Sequence, residues 1–434
     1  MKYYNLKDSQ EQVNFKTATI KGQGKDKGLF FPENIPQFDE KFIQNLSQYS
    51  DEEIAYQCMR SFINDEIPSE VLKNIITETI SFDIPLKKIN DKISILELFH
   101  GPTLAFKDIG ARFMSRCLSY FLKDQDKKVT VLVATSGDTG GAVADGFYNL
   151  PGIDVVILYP KNRVSPVQEK QLTALGKNIY ALEVNGSFDD CQSLVKQAFS
   201  NEEINSQLFL TSANSINIAR WLPQQIYYLL ALKQWQQLEK ELPVICVPSG
   251  NFGNICAGLL AHVRGLPAEH FIAACNSNDI IPQYFKTGNF NPKKAVATLS
   301  NAMDVGDPSN FVRILELFNN EFDALKNKIS ACTIDDQKTM QTITDVYEKH
   351  QYILDPHSAV AFASLEQYLK ENPGKKGFIL GTAHPVKFPE AVEKAVKTKI
   401  EIPASLNDLM KKEKKTIEIN SDFEELRRFL LSKN

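Results

Sequence analysis

The seven cysteines (Cys58, Cys117, Cys191, Cys246, Cys256, Cys275 and Cys332) include no CxxC pair. A disulfide framework and a zinc or iron–sulfur ligand set are therefore not expected, and the thiols read as reduced and buried. No apolar run approaches the roughly 20 residues that span a bilayer, and the opening MKYYNLKDSQEQ lacks an apolar signal core. Charge of one sign is also missing: 49 Lys and Arg stand against 53 Asp and Glu, a formal net charge of −4. Neither nucleic acid nor an anionic membrane is an expected partner. There is no low-complexity tract. What is left has the composition of a cytoplasmic globular protein, 43% apolar and 24% charged, with 434 residues for two to three domains.

Residues 1–85 form a distinct region, expected to be a small α+β domain. Short charged helical patterns such as DEEIAYQCMRSFI accompany KGLFFPENIP, which reads as strand and turn. From residue 86 the rhythm changes. KISILELF, KVTVLVATS, IDVVILYP, IYALEVN, LFLTSA, PVICVPS, FIAACN and GFILGTA read as strands, with helix-length amphipathic segments between most of them. Nearly continuous apolar strands alternating with helices predict an α/β fold of mostly parallel, doubly wound sheets. Such sheets bind ligands at the carboxyl ends of their strands. Residues 86–400 are expected to form two lobes, the smaller over about 100–215. Residues 401–434, with KKEKK at 411–415, read as a solvated exterior extension.

Two strand-to-helix turns echo each other: SGDTGG after KVTVLVAT, and SGNFGN after PVICVP. The repetition suggests two lobes of similar build facing one cleft. In the second turn, Gly250 and Gly253 supply tight turns and positive φ, and Asn251 and Asn254 tolerate the left-handed region. With Phe252 they form a loop free of acidic side chains at a helix start, a plausible phosphate cradle. It is neither GxGxxG nor a P-loop. The first turn carries Asp138, which would repel a phosphate. Its amides near Thr139 and Gly140, with the Ser136 and Thr139 hydroxyls, suit a single carboxylate or the orientation of a ligand.

In LELFHGPTLAFKDIGARF, one lysine sits where a helix should begin. Ile109, Phe113, Cys117 and Phe121 recur every four residues beyond it, with Met114 and Leu118 beside them. At a helix N-terminus among Leu104, Ala105 and Phe106, the ammonium form of Lys107 is disfavoured by dipole and desolvation. The result expected is a free amine suited to a Schiff base. A surface lysine at a helix start is the alternative. A phosphate cradle together with such an amine points to pyridoxal 5′-phosphate, which carries a phosphate and an aldehyde. Thr382, directly after the strand FILG, offers a neutral hydroxyl to the pyridine nitrogen.

FHGPTLAFKD, ATSGDTG, SANSIN, VPSGNFG, TLSNAMDV and GTAHPVKF, with KGLFFPE near the start, together resemble the threonine synthase family. The resemblance covers about residues 3–400, with the motifs in the family's order. It implies the tryptophan-synthase-β type of fold, pyridoxal phosphate as cofactor, and conversion of O-phospho-L-homoserine and water to L-threonine and phosphate. It further implies that Lys107 holds the cofactor covalently and then carries protons, and that Gly250 to Asn254 hold the cofactor phosphate. Thr382 then meets the ring nitrogen. Ser136, Gly137, Asp138 and Thr139 form the loop at the substrate carboxylate and the cofactor's 3′-oxygen side. Related enzymes of the fold often carry Asn at the position of Asp138, which leaves its role open. Candidates for the substrate-phosphate pocket are Lys161 and Ser165 in YPKNRVSP, and Asn214, Ser215, Asn217 and Arg220 in ANSINIAR. A monomer or homodimer is expected. A phospho-lyase or dehydratase releasing 2-oxobutanoate, and a non-catalytic ligand-binding relative, stand as alternatives.

Overall fold

The computed structural model describes residues 1–123 and 128–433. Each of the eight expected strands is present, and apart from Phe209–Thr211 at a sheet edge their apolar runs are buried on both faces, as a covered parallel sheet requires. IDVVILYP is strand over its whole length, Ile153–Pro160, with every residue buried.

The larger sheet has six strands in the order Ile329–Thr333, His270–Cys275, Val244–Pro248, Gly377–Gly381, Ile93–Glu97 and Leu86–Lys88. All its pairings are parallel except the last, which is antiparallel. The smaller sheet has five parallel strands: Ile417–Asn420, Ile179–Asn185, Ile153–Pro160, Val129–Ala134 and Phe209–Thr211. Helices cover both, so the chain is α/β with two doubly wound lobes. At the N-terminus, Asp8–Asn14, Lys2–Asn5 and Phe30–Pro32 make a small antiparallel sheet. The helices Asp51–Ile63 and Ser69–Thr79 follow it. The first is capped by Ser50, whose hydroxyl accepts from Glu53 N–H, and it buries Ile54, Cys58, Met59 and Phe62.

The last thirty residues lie at the outer edge of the smaller sheet and have regular structure of their own. IEIN becomes the edge strand Ile417–Asn420, in parallel register with Leu182–Asn185. The helix Phe423–Leu431 then buries Leu426 and Leu430 against Leu182, Val184 and Leu194. Apolar positions three and four apart on that helix make an inward stripe. The smaller lobe is accordingly assembled from residues 129–211 and the chain's end. No helix among the described residues is long and apolar enough to cross a membrane.

Candidate active site

The two echoing turns lie where predicted, each after a strand's carboxyl end. The helix Asp138–Phe147 follows the first, and Gly253–Val263 follows the second. Their backbones differ from expectation. Gly137 has φ 135°, but in the second turn the left-handed residue is Phe252, φ 61°, and neither Gly250 nor Gly253 is left-handed. Phe252 is buried, with its ring edge-on to Phe311. Gly250 is needed for close approach instead: a Cβ there would lie 2.5 Å from Met303 Cα. The amide at Gly140, expected to face a ligand, donates with that of Gly137 to the Thr135 hydroxyl, at 2.9 and 3.0 Å. The N–H groups of Asp138 and Thr139 stand in the first helical turn, where an α-helix has no internal acceptor for them.

The helix that opens with Lys107 runs Lys107–Leu122 and buries Ile109, Phe113, Met114, Cys117, Leu118 and Phe121. Its start is pinned from several sides. Leu104 takes φ 56°, and Ala105 bridges to Ala383. Phe106 N–H donates to Thr382 O at 2.9 Å, while the Tyr227 hydroxyl donates to Phe106 O. Thr103 donates its N–H and hydroxyl to Asp108. Lys107 has a 15% exposed side chain and lies 3.6 Å from Asp138 Oδ2. Burial pushes its ammonium pKa down. The Asp138 carboxylate opposes that shift, and the cations of Lys387 and Arg220 reinforce it.

Asp138 is itself buried. Gln168 Nε2 donates to its Oδ1 at 2.9 Å, and Lys387 Nζ lies 2.7 Å from the same oxygen. Burial raises the pKa of this carboxyl, but the Lys387 and Lys107 cations outweigh it and hold the value well below the usual range. Lys387, Gln168, Tyr227 and Tyr228 were not singled out from the sequence. Lys387 lies within GTAHPVKF, but nothing local distinguishes its fully buried side chain from a surface lysine.

The second turn is held by hydrogen bonds from its flanks. Asn251 Nδ2 donates to Ser215 Oγ at 2.7 Å, and Asn251 Oδ1 accepts from Ser309 N–H at 2.7 Å. The Tyr228 hydroxyl meets both oxygens of Asn254, at 2.8 and 2.9 Å. Asn254 Nδ2, however, is buried without a partner among the described residues. An orphaned donor at the start of a helix, in a loop with no carboxylate, is suited to an anion. Thr382 is buried at its strand end, and its hydroxyl also has no protein partner among the described residues. These groups, with a low-pKa amine nearby, fit a small molecule that carries a phosphate, an aldehyde and a ring nitrogen.

The candidates for the substrate phosphate divide. Lys161 is committed to Glu418 at 2.7 Å, an ion pair supplied by the C-terminal strand. Asn217 caps a short helix: it accepts from Ala219 N–H at 2.9 Å and donates to Thr19 O at 2.8 Å. Ser215 supports the second turn. Each of these three side chains thus has a partner within the protein. Ser165 caps the helix Pro166–Thr173, and its N–H donates to the same Gln168 that bonds Asp138. Asn214 is half-buried with a free amide. Arg220, expected either in the pocket or on the surface, is 3% exposed, donates to Ala213 O and makes no ion pair with a carboxylate among the described residues. Burial brings its guanidinium pKa down to about 10.

Three family models match the chain. Residues 2–80 match the threonine synthase N terminus, 76–380 the pyridoxal-phosphate dependent enzyme family, and 358–430 the threonine synthase C-terminal family. Threonine synthase of Escherichia coli strain K12 is 45% identical over 432 residues, covering 100% of both chains. The crystal structure of the Escherichia coli threonine synthase superposes with a TM-score of 0.92 over 100% of both chains, at 44% identity. A pyridoxal-phosphate-bound threonine synthase from Brucella melitensis gives a TM-score of 0.93 at 34% identity, covering 99% of this chain and 98% of that one.

Proposed function

The chain belongs to the threonine synthases, which are pyridoxal-phosphate-dependent enzymes, and we propose that it converts O-phospho-L-homoserine and water to L-threonine and phosphate, the last step of threonine biosynthesis. The observation that carries the reading is Lys107: a largely buried amine at a helix start, 3.6 Å from a carboxylate and near two further cations. Pyridoxal phosphate, when bound, supplies an aldehyde that captures an amine and a ring that spreads negative charge from the adjoining carbon.

This chain's residues do the rest. Lys107 would hold the cofactor and would take and return protons at the substrate carbons. The turn 250–254 holds the cofactor phosphate with backbone N–H groups, the helix dipole and Asn254 Nδ2. Thr382 Oγ1 would offer the ring nitrogen a neutral partner. The N–H groups of Asp138 and Thr139, with the Ser136 and Thr139 hydroxyls, receive the substrate carboxylate. Arg220, a buried cation with no ion-pair partner among the described residues, and Asn214 and Ser165 are the groups proposed for the leaving phosphate.

The test is to incubate the protein with O-phospho-L-homoserine and quantify phosphate and the organic product together. Equal amounts of threonine and phosphate support the reading. Phosphate with 2-oxobutanoate replaces it with a lyase, and no phosphate from cofactor-loaded protein removes the substrate.

A further inference from the structure

Two lysines share one carboxylate at the site. Lys387 Nζ is 2.7 Å from Asp138 Oδ1, and Lys107 Nζ is 3.6 Å from Asp138 Oδ2. The lysines are not equivalent. The Lys387 side chain is 0% exposed and has a second bond, to Thr103 O at 2.9 Å. Among the described residues the Lys107 ammonium has Asp138 as its single ion-pair partner, at the longer distance, and it lies over the Phe106 ring at 4.8 Å. Arg220 adds a further buried cation to the surroundings of Lys107. Lys387 faces Asp138 closely, with Asp108 and His384 further off.

A buried group of this kind is costly unless its charges balance. With both lysines charged, one carboxylate faces two ammonium groups and Arg220. The excess is relieved when the more weakly held lysine loses its proton, and that lysine is Lys107. Were Lys387 absent, Asp138 would be left with Lys107 as its sole close cation, and the pair would hold Lys107 as ammonium, which cannot attack an aldehyde.

We propose that Lys387 is the permanent counter-cation of Asp138, a positioning residue that acts through the carboxylate to keep Lys107 available as a neutral amine. This rests on Lys107 being the amine that captures the cofactor. Borohydride trapping of the holoenzyme followed by peptide mapping checks that separately, because an adduct elsewhere overturns the reading without any measurement on Lys387.

The proposal is tested by the rate at which apoenzyme, freed of cofactor, captures added pyridoxal phosphate as a function of pH, followed by visible absorbance. In Lys387→Met the pH of half-maximal capture is expected to rise by about one unit or more, which is roughly a tenfold slowing below that pH. Lys387→Gln, which keeps amide donors for Asp138 and Thr103 without the charge, is expected to shift in the same direction and serves if the Met variant does not fold. In an Asp138→Asn background the same Lys387 change is expected to move the midpoint less, because only the direct repulsion between Lys387 and Lys107 remains once the carboxylate is gone. Unchanged midpoints in folded Lys387→Met or Lys387→Gln overturn the proposal, and so does an equal shift in the Asp138→Asn background. A wild-type midpoint at the free-lysine value of about 10.4 overturns it without any variant.

Discussion

Lys107 is legible in the sequence because its surroundings are: an apolar tripeptide before it and a four-residue apolar spacing after it. Lys107→Ala is expected to lower threonine formation by at least about 10²–10⁴-fold, the usual contribution of a positioned acid–base group. The measurement is product release alongside thermal unfolding, with the protein remaining folded. Asn254→Ala removes the orphaned donor. It is expected to weaken pyridoxal phosphate binding by about two- to tenfold, the worth of roughly 0.5–1.5 kcal/mol for one hydrogen bond. Equilibrium titration of the apoenzyme reads this directly. Other residues were not legible, for a physical reason. Gly250 looks like a left-handed residue until Met303, more than fifty positions away in the chain, is seen against its Cα. Lys387 and Lys161 are both single lysines among mixed neighbours, yet one is sealed on Asp138 and the other pairs with the C-terminal strand. Side-chain partners supplied by distant segments leave no local trace.

At the scale of elements, strands with uninterrupted apolar runs declare themselves, since both faces are covered. Edge strands do so less: Phe209–Thr211 is legible in LFLTSA, but two others are not. ISACT, Ile329–Thr333, is buried only at Ile329, and IEIN, Ile417–Asn420, only at Ile419. Half-exposed edges carry polar residues and blend into loops. Yet the last edge is fastened firmly. Lys414 reaches both Glu169 and Glu183 at 2.8 Å, and the Thr416 hydroxyl donates to Ala181 O at 3.1 Å. Glu169 lies on the helix that carries Gln168, so the fastening reaches an element that bonds Asp138. Leu426→Ala, which empties a fully buried position in the terminal helix, is expected to cost about 2–5 kcal/mol. Denaturant unfolding checks this, and a loss below about 0.5 kcal/mol would show that the helix is not part of the lobe's core.

For the whole molecule, the alternation of strands and helices made the fold class readable, but it gave no sheet order. Gly377–Gly381 inserts between Val244–Pro248 and Ile93–Glu97, a placement no window of sequence displays. Global stability also carries a pH signature. Burial lowers the pKa of His384 to about 4, and its Nδ1 must stay unprotonated to accept from Val386 N–H at 3.2 Å. The unfolded chain binds this proton near pH 6.5, so stability is expected to fall as pH drops from 6.5 towards 4, by about 1–3 kcal/mol. Asp108, pushed up to about 6, acts in the opposite sense over a similar range. The comparison that isolates the histidine is therefore His384→Asn against wild type. On going from pH 7 to 4.5 the variant is expected to lose less unfolding free energy than wild type, because it keeps a capping oxygen but has no proton to gain.

The placement of those late strands governs how the chain can be made. Val244–Pro248 and Ile93–Glu97 leave a ribosome long before Gly377–Gly381 arrives to join them, and Ile179–Asn185 waits for Ile417–Asn420. Through most of synthesis both nascent sheets expose unpaired backbone edges, the surfaces on which growing chains mispair. Neither half closes until translation is nearly finished, so a chain that stops short of residue 417 leaves the smaller sheet with an open edge.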